Sequence, residues 1–122
     1  MAGKILVADD DQHMRVLLHK RLTSVGYDVI LVEDGGECID AIRKEKPDLI
    51  ILDVHMPIMD GGDVAAWLKE NNDTKNIPVI FLTGLLSKDE EQNVSDGKHF
   101  MMAKPFDPEK LLLEIYKRIP RT

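Results

Sequence analysis

Short aliphatic runs alternate with amphipathic stretches along the whole chain. Ile5-Leu6-Val7-Ala8 predicts a first strand. Met14, Leu17, Leu18, Leu22 and Val25 then recur at helical spacing, and Gly26 supplies the stop. Val29 to Val32 makes a second strand pattern. Asp34 is placed to cap a second helix, with Glu37 three residues on in the manner of a capping box; Cys38, Ile39 and Ile42 mark its inner face. Pro47 closes that unit ahead of Leu49 to Leu52, an unbroken run of large aliphatics that reads as a strand buried on both faces. Val64, Trp67 and Leu68 predict a third helix, Val79 to Leu82 a fourth strand and Phe100 to Ala103 a fifth. Asp107-Pro108 pairs an N-cap with the residue best suited to the first helical position, and Leu111, Leu112, Ile115, Tyr116 and Ile119 define the last helix.

Strict alternation of strands and helices implies an α/β fold, a parallel sheet with helices on both faces and right-handed crossovers. One unit is poorly made. Between Ser87 and Lys98 the only apolar residue is Val94, so the fourth helix buries little surface and is expected to be short and mobile. There are no repeats, low-complexity segments or internal linkers, and only Pro120-Arg121-Thr122 follows Ile119. The expectation is one domain over residues 1–122 with no second domain attached here, either a stand-alone unit or one domain cut from a longer protein.

Composition narrows the function classes. A net charge of −6 argues against a nucleic-acid surface, which needs clustered Lys and Arg. One cysteine, Cys38, excludes a disulfide framework and fits a reducing cytoplasm, where its expected role is apolar filler. No signal peptide is visible, and no apolar run approaches the roughly 20 residues of a membrane span. The chain therefore reads as cytoplasmic.

Candidate chemistry emerges from the residues that directly follow each strand, since in a parallel sheet these converge on one edge, where open α/β sheets place their ligands. The first strand ends in Asp9-Asp10-Asp11, the third in Asp53, the fourth in Thr83-Gly84 and the fifth in Lys104-Pro105. Glu33 and Asp34 after the second strand, and Asp11 after the first, are better suited to helix caps. Packed carboxylates repel, and the simplest resolution is a bound hard cation. Mg²⁺ suits one or two protein carboxylates, several waters and phosphate oxygens. Lys104 supplies a point positive charge and Thr83 a hydroxyl donor for a phosphoryl group. A carboxylate can itself accept phosphorus, giving an aspartyl phosphate, and such transfer needs mainly positioning and charge neutralisation.

Taken together, ILVADDD (Ile5 to Asp11), LIILDVHMPIMDG (Leu49 to Gly61), PVIFLTG (Pro78 to Gly84) and AKPF (Ala103 to Phe106) resemble the receiver domain of the two-component response-regulator family. The resemblance covers essentially the whole chain. It implies a flavodoxin-like, doubly wound five-stranded parallel sheet in the order 2-1-3-4-5 with five helices. It implies that Asp53 is the phospho-acceptor, taking phosphate from a histidine kinase or phosphotransfer protein, and that Asp9, Asp10 and the backbone carbonyl of His55 complete a Mg²⁺ set with it. Thr83 matches the switch hydroxyl, Lys104 the phosphate-contacting lysine, and Lys104-Pro105 a bond that is usually cis in the family. Partners or a phosphorylation-dependent dimer are then expected on the face of the fourth helix, fifth strand and fifth helix. Self-phosphorylation and self-dephosphorylation are the only enzymatic behaviour implied.

The chain departs from the family pattern at Met101, three residues before Lys104, where the family has an aromatic that swings inward after the hydroxyl moves. Phe100 beside it points to the opposite face and cannot take over. A flexible thioether makes a less decisive switch than a ring, so the expectation is a weakened or rewired switch. His55, two residues beyond Asp53, is either a residue that steers a hydrolytic water or a loop histidine contributing only its carbonyl. His13, His19 and His99 lack metal-ligand spacing and read as surface residues. Two other readings stay open: a receiver-like interaction module that no longer switches, and a Mg²⁺-dependent phosphohydrolase with Asp53 as nucleophile. The hydrolase would need an acid/base carboxylate where His55 stands.

Overall fold

The aliphatic runs pair side by side as one parallel sheet, β1 (Lys4–Ala8), β2 (Asp28–Val32), β3 (Leu49–Asp53), β4 (Val79–Thr83) and β5 (His99–Ala103), in the order β2-β1-β3-β4-β5. The computed structural model describes residues 3–54, 61–83, 99–103 and 107–119. Four helices are described: α1 (Gln12–Ser24), α2 (Gly35–Glu45), α3 (Gly61–Glu70) and α4 (Pro108–Arg118). The additional helix expected between Ser87 and Lys98 lies outside the described residues, so the last helix of the sequence pattern is α4 here.

The register explains why β3 is apolar throughout. It sits at the centre, with Ile5 to Ala8 of β1 opposite Leu49 to Leu52 on one side and β4 on the other. Alternate residues of each strand feed opposite faces. Ile5, Val7, Leu49, Ile51, Ile80 and Leu82 pack with Leu18 and Leu22 of α1 and Leu111 and Ile115 of α4. Leu6, Ala8, Ile50, Leu52 and Val79 pack with Cys38, Ile39 and Ile42 of α2 and Val64 and Leu68 of α3. Two layers of helix thus cover a sheet whose central strand is fully enclosed.

Local chemistry sets the element ends. Asp11, Asp34 and Asp107 cap α1, α2 and α4 by accepting from the backbone N–H groups of His13, Glu37 and Glu109. The α2 cap differs in one detail from a capping box: Glu37 reaches back to the N–H of Glu33, one residue before the cap, at 3.0 Å. Gly26 follows α1 with φ 99°, a left-handed conformation that glycine adopts without a Cβ clash. Lys46 ends α2 in the left-handed region at φ 49°, immediately before Pro47, which cannot supply the next helical N–H. Leu17 of α1 and Tyr116 of α4, which fit the helical spacing, are 41% and 47% exposed, so the inner stripes of these two helices are narrower than the spacing suggests. No helix among the described residues is long and apolar enough to cross a membrane.

Candidate functional site

Adjacent strands deliver three polar side chains to one edge of the sheet. Because Ala8 lies opposite Leu52, the next residues along, Asp9 and Asp53, emerge side by side. Asp53 in turn faces Leu82, which places Thr83 one step further out on β4. All three are nearly sealed from water: Asp9 is 0% exposed, Asp53 5% and Thr83 3%. Asp10 is exposed at the rim. Polar groups are rarely enclosed this way unless hydrogen-bonded or matched by charge.

The turn after β1 is built to hold Asp9. Its N–H donates to the Val32 carbonyl at 3.2 Å, extending the β1–β2 ladder by one residue. Its Oδ1 accepts from the N–H of Asp11 at 2.9 Å, a local turn that an aspartate forms readily. Asp11 then points its own carboxylate at the α1 N-terminus, as expected of a cap. The three acids of Asp9-Asp10-Asp11 therefore divide their work: two face the sheet edge and one starts the helix.

One carboxylate oxygen from each of Asp9, Asp10 and Asp53 lies within 4.8 Å of the others. Three hard, anionic oxygen donors this close fit Mg²⁺ by chemistry. Trans ligands of an octahedral Mg²⁺ stand roughly 4.2 Å apart, so the spacing suits direct contact by one or two carboxylates with water completing the shell. Other cation-coordinating chemistries fit less well, since no thiolate or imidazole joins this group among the described residues. Cys38, the one thiol, is buried on α2's inner face. Burial, and then the negative charge of Asp34, push its pKa up to about 12, so it stays protonated and is no nucleophile.

The structure brings Asp9, Asp10, Asp53 and Thr83 to the edge that the sequence assigns them. His55, Lys104 and Pro105 lie outside the described residues, and with them the carbonyl, lysine and cis-peptide expectations. Met101 is half-buried on β5 and sits opposite Phe81, whereas Phe100 packs on the α1/α4 face, so the two do point apart. His13 and His19 are exposed on α1.

One residue beside the site was missed. Arg15, in the first turn of α1, folds back so that its Nη1 donates to the Asp9 carbonyl at 2.8 Å and its Nη2 pairs with Glu33 at 3.3 Å. Glu33 thus has a second tie besides the helix-cap contact through its N–H. The signal was present in the spacing: Arg15, Leu18 and Leu22 form one helical stripe, and a cation on a stripe whose other members are buried has to find polar partners.

Comparison with known proteins places this geometry. The response regulator receiver domain family matches residues 5–116. The response regulator MprA of Mycolicibacterium vanbaalenii is 37% identical over 123 aligned residues, which take in 100% of this chain and 52% of MprA. The chain spans about half the length of the curated relatives it matches. Among solved structures, the chemotaxis protein CheY4 of Vibrio cholerae superposes with a TM-score of 0.84 at 30% identity, covering 98% of this chain and 100% of that one. The receiver domain of the sensor histidine kinase PA1611 of Pseudomonas aeruginosa, with a magnesium ion coordinated in its active site cleft, gives a TM-score of 0.82 at 25% identity, over 97% and 98% of the two chains. The chain belongs to the response regulator receiver domain family.

Proposed function

We propose that residues 1–122 form one cytoplasmic receiver unit in which Asp53 accepts a phosphoryl group and the resulting charge controls protein binding. The observation that carries this reading is the gathering of Asp9, Asp10 and Asp53 within 4.8 Å, beside the buried hydroxyl of Thr83. The magnesium in the receiver of the Pseudomonas kinase supports assigning the acidic set to that ion. In this reading Asp9, Asp10, Asp53 and the His55 carbonyl hold Mg²⁺, which supplies positive charge against the phosphoryl oxygens.

The transfer is a displacement at phosphorus. A carboxylate oxygen of Asp53 attacks the phosphoryl group of a phosphohistidine on a histidine kinase or phosphotransfer protein. The P–N bond breaks as the O–P bond forms, and its electron pair returns to the imidazole. Lys104 and Thr83 contact the transferred oxygens, the lysine as a point charge and the threonine as a hydroxyl donor. Water attacking the same phosphorus later restores Asp53 and releases inorganic phosphate. These two steps on its own side chain are all the chemistry assigned to the chain.

Output follows from the movement of Thr83 toward the phosphoryl group and is read on the face containing β5 and α4, either by a partner or by a second copy. Met101, half-buried where the family carries an aromatic, favours a weakened switch. NMR shifts on phosphorylation tests this: changes around residues 87–98 as large as those of an aromatic-bearing receiver would contradict it. The acceptor assignment is tested by intact mass after incubation with Mg²⁺ and acetyl phosphate. A single phosphate adduct on wild type, absent in Asp53→Asn, is the expected result. No adduct on wild type indicates an inert interaction module, and multiple turnover of diverse phosphate esters indicates a hydrolase.

A further inference from the structure

We propose that Arg15 is a positioning residue for the acidic cluster: it fixes the main chain at Asp9 and so sets the affinity of the site for a divalent cation. The inference rests on the reading of Asp9, Asp10 and Asp53 as a cation site, and adds a residue that this reading does not include.

Helix energetics do not account for Arg15. It stands in the first turn of α1, a turn without acidic residues, where a cation opposes the helix dipole. Its backbone is ordinary helix, with its N–H donating to the Asp11 carbonyl at 3.0 Å. The side chain is only 16% exposed, and a guanidinium gives up much hydration at that depth. Its geometry shows what offsets this. Nη1 meets the Asp9 carbonyl at 2.8 Å, and Nη2 meets the Glu33 carboxylate at 3.3 Å.

These contacts join the ends of two strands. Asp9 is the first residue past β1 and Glu33 the first past β2. Glu33 is itself held by its N–H to Glu37 at 3.0 Å, so the tether runs from the start of α2 through Glu33 and Arg15 to Asp9. The N–H and Oδ1 of Asp9 are already engaged with Val32 and Asp11. With the carbonyl also fixed, the peptide planes on both sides of the Asp9 Cα are set, and the carboxylate is held in place before a cation arrives. Groups that orient a metal ligand without touching the metal commonly change affinity by about 10–100-fold when removed.

Charge and position predict opposite signs, which makes the assignment testable. Arg15→Met removes a positive charge beside three carboxylates, so Coulomb's law alone predicts tighter Mg²⁺ binding. Positioning predicts weaker binding, by about tenfold. Arg15→Lys keeps the charge but reaches one acceptor at a time, so charge alone predicts no change and positioning predicts a smaller loss than for Arg15→Met. The experiment is calorimetric titration of Mg²⁺ into the unphosphorylated wild type, Arg15→Met and Arg15→Lys, with circular dichroism to verify folding. Should Arg15→Met fail to fold, Arg15→Lys decides alone. Weaker binding by the folded variants supports the assignment; unchanged or tighter binding overturns it while leaving the cation site intact. If wild type itself takes up no Mg²⁺, the cation site fails, and the role of Arg15 with it.

Discussion

The two edges of the sheet handle charge in opposite ways. At the amino edge, where the strands begin, carboxylates meet donors. Asp48 accepts from the Lys4 N–H at 2.8 Å, and the Lys4 ammonium lies 3.4 Å from the Glu45 carboxylate and 3.2 Å from its carbonyl. Tyr27 closes the same edge by donating to the Ile119 carbonyl at 3.0 Å. At the carboxyl edge three carboxylates crowd within 4.8 Å, two of them buried. One edge pairs opposite charges, whereas the other brings three carboxylates together. That gathering of like charge singles out the carboxyl edge as the candidate site.

The largest change expected is in the support both edges share. Leu52 is fully buried on β3 next to Asp53, so Leu52→Ala costs about 2–5 kcal/mol of unfolding free energy, measurable by urea titration. A loss well under 1 kcal/mol would mean that β3 does not hold the edge rigidly. Smaller and of opposite sign at the two edges are the effects of single carboxylates. Without divalent cations, Asp53→Asn relieves repulsion and raises stability by about 1 kcal/mol. Asp48→Asn removes the stronger acceptor of the Lys4 N–H and lowers stability by about 1 kcal/mol. Equal signs in the same buffer would erase the contrast.

The smallest effect concerns a paired carboxylate on α4. Burial raises the pKa of Glu114, but hydrogen bonds and ion pairs from Arg118 and Lys117 outweigh it, and the net shift is downward. A carboxylate with a lowered folded-state pKa adds stability that is complete above its unfolded pKa, about 4.3, and lost as pH falls through the folded value. Urea midpoints of wild type should therefore fall more steeply below pH 4.3 than those of Glu114→Gln. Parallel acid limbs in the two proteins would show that the pairing does not stabilise the fold.

Much of the fold was legible because burial on both faces leaves a plain mark. Leu49 to Leu52 has no polar residue to dilute it, and the caps Asp11, Asp34 and Asp107 stand where side-chain chemistry demands them. The carboxyl-edge residues were legible for a topological reason: in a parallel sheet, whatever follows a strand arrives at the same edge. Arg15 escaped because its partner at Asp9 is a backbone carbonyl, which carries no residue-type signal. Glu33 escaped because its closeness to the Asp34 cap gave it a ready explanation. Leu17 misled for the converse reason, since helical spacing records which residues share a face and not how far the neighbouring element reaches across it.

The claim that the carboxyl edge gathers charge for a cation is tested most directly by urea unfolding with and without Mg²⁺, in wild type, Asp48→Asn and the double variant Asp10→Asn/Asp53→Asn. A ligand that binds only the folded state adds about 1.4 kcal/mol at roughly ten times its Kd. Wild type and Asp48→Asn are expected to gain that stability equally, and the double variant to gain almost none. Equal gains in all three proteins, or no gain in wild type, would contradict the account.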